Sequence, residues 1–130
     1  MSPTAAIWNR ACGEVGGPTT LTAAGDRALA DLVLGHSTAI NGGLLHAVES
    51  LTEVECAAAV AGFRYFGLDE AATVFQDVFD TASGGMDDEP AEQLEVEADT
   101  RYWAVVADDD VLVSAFVNRY RREPSAFDAP

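Results

Sequence analysis

The sequence predicts an all-α protein, a compact single-domain bundle of about six or seven helices. Three observations predict it. Apolar residues recur at three- and four-residue spacing in one segment after another, the mark of helices with one buried face. Helix start and stop signals punctuate those segments, above all the capping-box sequence Thr52-Glu53-Val54-Glu55 and, after the run that follows it, Gly67. A chain of 130 residues, 48% of them hydrophobic, suits one domain with one ordinary core.

The elements follow in order. Pro3 to Arg10 starts a short helix, with Pro in its first turn and Ile7 and Trp8 as anchors. Gly13, Gly16, Gly17 and Pro18 break it; they lack the Lys-Ser/Thr ending of a phosphate loop and follow no strand, so they read as a connector. Thr20 or Thr22 caps a helix reaching about Leu34, with Leu21, Ala24, Ala28, Leu29 and Leu32 as its apolar stripe. His36 falls near its end, where an imidazolium suits the helix dipole. Asn41-Gly42-Gly43 would ordinarily suggest a hairpin, but Leu44-Leu45-His46-Ala47-Val48 lacks alternation, so a helix-to-helix corner is expected. A short helix to Leu51 comes next. The helix opened by Thr52 carries Val54, Ala57, Ala58, Ala61 and Phe66. Asp69 caps its successor, in which Ala72, Phe75, Val78 and Phe79 recur.

After Ser83-Gly84-Gly85 the composition shifts to an acidic connector, residues 84–92. The helix beyond offers Leu94, Val96, Tyr102, Trp103 and Val106 for packing. Asp108-Asp109-Asp110 then reads as the cap of a closing helix that carries Leu112, Phe116 and Tyr120 and ends in Arg119, Arg121 and Arg122. After Glu123-Pro124 the tail is expected to be loosely held, with Phe127 available for packing. This divides the chain into an N-terminal helix and connector (residues 1–20), a helical core (21–123) and a tail (124–130).

Twenty-two acids oppose seven bases, a formal charge of −15. Such a surface repels nucleic acid and anionic membranes and attracts basic partners, though it also aids solubility. No apolar run reaches the ~18 residues of a membrane span, and no basic region followed by an apolar stretch marks a secretory signal. Cys12 and Cys56 do not suggest a disulfide framework, and a cytoplasmic protein with two reduced thiols is expected. Site chemistry is sparse. The Asp triplet lacks the alternating ligands and central Gly of a calcium loop, and no nucleophile signature accompanies the two histidines. His46 and Glu49 are three apart on one helix, but no second segment supplies further ligands. No cofactor, metal or catalysis is expected; a ligand site or small enzyme built around His46 and Glu49 is kept as an alternative.

Ala39-Ile40-Asn41-Gly42-Gly43-Leu44-Leu45, the helical run through Phe63, Gly67 and Ala71-Ala72, and Asp99-Thr100-Arg101-Tyr102-Trp103 together resemble the DNA-mimic-protein-19-like domain family. The ending Phe116-Val117-Asn118-Arg119-Tyr120, with Pro124 and Phe127, is similar to that family's closing helix, so the resemblance spans roughly Leu32 to Phe127. Asn41, Gly42, Gly43, Tyr102 and Trp103 are its motif residues. It implies an all-helical fold and, by analogy with the namesake, an acidic dimer that occupies the DNA-binding face of a transcription factor.

The residues expected to carry such an activity are carboxylates. Helical acids three or four apart have Cβ atoms ~5–6 Å apart, so two adjoining rows imitate a phosphate track. Glu92, Glu95 and Asp99 form one row; Asp69, Glu70, Asp77 and Asp80 form a second; Asp87, Asp88 and Glu89 extend it through the connector. The expectation is an acidic protein-binding module whose partner is a basic protein, either a DNA-binding regulator or a toxin masked by an immunity- or antitoxin-like inhibitor. Neither nucleic acid nor membrane is bound directly, and a homodimer is a further expectation.

Overall fold

Helices form wherever the apolar period persists, and the chain gives seven of them among the described residues: α1 (Pro3–Gly13), α2 (Ala24–Gly42), α3 (Leu44–Ser50), α4 (Glu53–Tyr65), α5 (Asp69–Ser83), α6 (Asp88–Val105) and α7 (Asp109–Arg122). A 3-10 turn at Pro124–Ala126 follows, and no strand occurs among the described residues. The structure is a computed structural model and describes residues 2–13, 21–85 and 88–130, with backbone alone at 88 and 89. No described helix is long and apolar enough to cross a membrane.

Helix α2 is the centre of the bundle. It packs on α4, with α1 and α3 at its flanks, while α5 bridges α4 and α3 and α6 lies across α5 and α3. The α2–α4 contact is close because two glycines permit it. A Cβ on Gly62 would sit 2.8 Å from the Ala28 carbonyl oxygen, and one on Gly35 would meet the Ala59 methyl at 2.7 Å. This layer is filled by Leu29, Leu32, Val33, Ala59, Val60 and Phe63, all buried.

Several sequence expectations meet their geometry. The Thr52 hydroxyl accepts from the Glu55 N–H at 3.1 Å, and the Glu55 carboxylate accepts from the Thr52 N–H at 2.9 Å, completing the capping box. Gly67 takes φ +77°, so the Leu68 N–H reaches the Phe63 carbonyl and the Gly67 N–H reaches that of Arg64. That pair of bonds is a Schellman ending, and it turns the chain sharply into α5. Gly43, at φ +93°, forms the corner between α2 and α3. Asp108 caps α7, its carboxylate accepting from the Asp110 N–H.

Others are corrected. Helix α2 does not stop near Leu34 but runs to Gly42, because Leu29, Leu32, Val33, His36 and Ala39 continue one buried face through the Gly-His-Ser-Thr stretch. Thr38 there returns its hydroxyl to the Leu34 carbonyl, as a helical threonine does. His36 is therefore mid-helix and buried, away from any helix end. Thr22 does not cap α2; the cap position is Ala23, without a side-chain bond, and Thr20 lies outside the described residues. Asp69 is the first residue of α5, and the cap position is Leu68. On α4 the buried face is Cys56, Ala59, Val60 and Phe63, whereas Val54, Ala57 and Ala61 are exposed. Alanines carry little phase information, and the large Phe63 sets the rotation.

The tail is held, not loose. Phe127 is buried beside Phe116, Phe66 and Tyr120, and its ring fills the space where Gly25 lacks a side chain. Asp26, fully buried, accepts from Arg10 Nη2 at 2.7 Å and from the Asp128 N–H at 2.7 Å. Arg10 also donates to the Ala129 carbonyl at 2.8 Å. One ion pair thus fastens α1, α2 and the tail together.

Candidate interaction surface

The acids are unevenly distributed. Between residues 69 and 110 the sequence holds fourteen acids and one base, Arg101; the remaining residues hold eight acids and six bases. That segment is α5, α6 and the start of α7, so nearly all the net charge belongs to one side of the helix order.

Helices α5 and α6 are neighbours, and Arg101 on α6 reaches Asp77 on α5 at 2.9 Å. Both side chains are about half exposed, so the pair contributes little stability, but it shows where the helices meet. Asp69, Glu70, Asp77 and Asp80 are all exposed on α5. Asp69 and Glu70 occupy its first turn, where the positive end of the macrodipole favours carboxylates. Asp80 accepts from Gln76 Nε2 at 2.9 Å.

On α6, Glu92, Glu95 and Glu97 are exposed, but Asp99 is half-buried and turned inward. Its Oδ1 accepts from the Leu44 N–H at 2.9 Å, at the start of α3. Gly43 has no side chain to cap that end, so a carboxylate from another helix satisfies an orphan N–H. The row Glu92–Glu95–Asp99 is thereby shortened to its first two members. With ~100° of rotation per residue, Asp99 and Arg101 point to opposite flanks of α6, toward α3 and α5 respectively. The side facing the α5 acids therefore presents Glu97 and Arg101, and the expected two rows do not adjoin. Asp88 and Glu89 lie in the first turn of α6, but their side chains, like the whole of Asp87, lie outside the described residues.

The two stretches that carry the motif residues, 41–43 and 99–103, meet at the α2–α3 corner. Tyr102, fully buried, hydrogen-bonds His36 Nδ1 at 2.7 Å, and His36 Nε2 bonds Asp109 Oδ1 at 2.8 Å. A neutral His36 satisfies both: the phenol donates to Nδ1 and Nε2–H donates to the carboxylate. This chain ties α2, α6 and α7. Burial, with the Asp109 charge adding to it, pushes the Tyr102 phenol far above its ordinary range. Trp103 stacks edge-on against both rings and remains 39% exposed. The continuing period through His36 was the available sequence signal, since a buried imidazole must find partners; which residues those are follows only from the fold.

His46 and Glu49 are both exposed. The His46 ring lies over Gly42, where a Cβ would meet it, with Nδ1 3.2 Å from the Ser50 hydroxyl. Among the described residues no group of three His, Cys, Asp or Glu side chains is placed to hold a metal ion. Cys56 is buried, its thiol pushed up to about 11 by burial and then by the Glu55 charge, while Cys12 is exposed.

A cleft of about 810 Å³ runs between α7 and the α4–α5 corner, its apolar floor including Phe66, Leu68, Val111 and Ala115. A smaller depression of about 340 Å³ shares Gly67 and Leu68 with it and is lined by Asp69, Glu70 and Val105. Sequence reading singled out Asp69 and Glu70 but not this cleft, which depends on the corner at Gly67.

Comparison with known families, curated proteins and solved structures gives no match for this chain.

Proposed function

We propose that the protein is an acidic protein-binding module, and that it acts as a DNA mimic, occupying the nucleic-acid-binding face of a basic protein such as a transcription regulator. The observation that carries this reading is the charge division: fourteen acids and one Arg between residues 69 and 110. Helix α6 has 18 residues, or ~27 Å of axis, and its six acids give roughly one charge per 4.5 Å, against ~3.4 Å for one DNA strand. With Asp99 engaged at α3 and the α5 acids on a separate flank, α6 alone falls short of that density. What a partner meets is the summed field of the exposed acids of α5, α6 and Asp108–Asp110 rather than one phosphate-like row. A cationic partner then releases its counterions to this surface instead of to DNA.

The test is competition. The protein, immobilised at low salt, is expected to retain a basic protein that both ~0.5 M salt and duplex DNA release, salt because its Debye length falls well below 10 Å. The triple variant Glu92→Gln, Glu95→Gln, Glu97→Gln should retain less of it. Retention unaffected by salt and by the triple variant would remove the electrostatic reading. Release by salt but not by DNA would leave an acidic inhibitor of another basic protein, such as a toxin, and end the mimicry.

A further inference from the structure

The geometry points to the α7 cleft as the seat of an extended cationic segment of the partner. This inference rests on the acidic-module reading above and adds to it a specific place and a specific shape. Asp110, Ser114, Asn118 and Arg122 follow one another at four-residue spacing and all line the cleft. The side chains of Ser114, Asn118 and Arg122 have no hydrogen-bond or ion-pair partner among the described residues. They form a row of donors and acceptors beside an apolar floor, and their ~6 Å spacing along the helix is close to the ~6.6 Å two-residue repeat of an extended chain. From Asp110 to Arg122 the helix rises ~18 Å, the length of five or six extended residues at ~3.3 Å each.

Charge selects the occupant. Asp108 and Asp110 lie at one end of the cleft, and the depression continuing past Gly67 and Leu68 adds Asp69 and Glu70. Four exposed carboxylates therefore face whatever enters there, and the one base, Arg122, stands at the far end. Arginine or lysine side chains fit the acidic mouth, apolar side chains fit the floor, and Arg122 meets a backbone carbonyl or a carboxylate. Nucleic acid and acidic peptides are repelled from this mouth.

The probe is an acetylated hexapeptide of two arginines followed by leucine, serine, leucine and alanine, with the same peptide carrying aspartates for arginines as its control. Binding is followed by amide NMR shifts on the full chain. The basic peptide is expected to move the amides of Gly67, Ser114 and Asn118, and the aspartate peptide to move none. Asp110→Asn should weaken binding about tenfold, the loss of one hydrogen bond to a charged group. Ser114→Trp and Asn118→Trp, both at exposed positions, should block the cleft while leaving poly-arginine binding at low salt intact. If the hexapeptide binds equally well to both tryptophan variants, or shifts only amides elsewhere on α5 and α6, the cleft assignment is overturned while the acidic-module reading stands. If poly-arginine is not bound by the unaltered protein either, both fall together.

Discussion

The two sides of this molecule handle charge in opposite ways. Outside residues 69–110 eight acids stand with six bases, and two of those bases, Arg10 and Arg119, order structure. Arg10 holds the buried Asp26 and the tail; Arg119 pairs with Glu123 at 3.2 Å and lies over the Tyr65 ring at 4.2 Å. In the part built from α5, α6 and the start of α7, one Arg stands among fourteen acids, and only Asp77 pairs with it. A surface arranged for stability alone would intersperse its signs, since like charges at close spacing destabilise the compact state. The acidic side accepts that repulsion, and the difference between the sides is the physical basis for assigning it a binding role.

The sharpest way to break the comparison is to make the paired side behave like the unpaired one. Arg10→Met leaves Asp26 buried without its counter-charge, and removing one partner of such a pair costs about 3 kcal/mol. Urea denaturation should show the midpoint falling accordingly, with Phe127 and the tail released. A loss near zero would mean that the tail clamp does not order this side. Next in size, Gly62→Ala forces a methyl against the Ala28 carbonyl oxygen between α2 and α4 and should cost about 2 kcal/mol by the same measurement.

Tyr102→Phe probes the joint between the sides. The buried phenol stays protonated at pH values where an unfolded tyrosine, with its ordinary value near 10, has ionised. Above that value the folded state binds the extra proton, so stability falls as pH rises, by about 1.4 kcal/mol per pH unit from this group. Below it this contribution is constant. The variant should therefore lower stability at neutral pH, through the lost bond to His36, yet show a flatter decline above pH 10. An unchanged alkaline slope would show that Tyr102 ionises as freely in the fold as outside it.

What the sequence made legible was local. The Thr52–Glu55 box, the glycine at 67, the Asp108 cap and the all-helical class each depend on residues within a few positions of one another. What it left hidden was the pairing of distant groups. Asp99 reads as one more acid in a row until α3 is seen to begin, uncapped, beside it. His36 reads as a helix end because the weak helix formers Gly35, Ser37 and Thr38 hide a continuing period, and its partners lie 66 and 73 residues away. The cleft beside α7 was invisible for the same reason: its two walls, 66–68 and 108–122, are set against each other by the bundle. The acidic surface was half legible, since composition supplies the charge but only helix neighbourhood decides which acids share a face.

The smallest expected effect is also the one that separates the two sides most directly. Glu92→Gln, Glu95→Gln and Glu97→Gln remove three exposed charges that have no ion-pair partner among the described residues, so the variant should be more stable than the parent at low salt, by a few tenths of a kcal/mol per site at most. The sign is the point. Neutralising exposed acids that were paired would destabilise; neutralising unpaired acids inside a like-charged field relieves repulsion. The gain should shrink as salt rises from ~0.02 M to ~0.5 M, because the Debye length contracts from about 20 Å to below 5 Å. Partner retention should fall in the same variant, so stability and binding move in opposite directions. A variant that loses stability at low salt, measured by thermal unfolding, would show that these glutamates hold the fold together, and the contrast between the two sides would then no longer mark α6 as a surface kept for a partner.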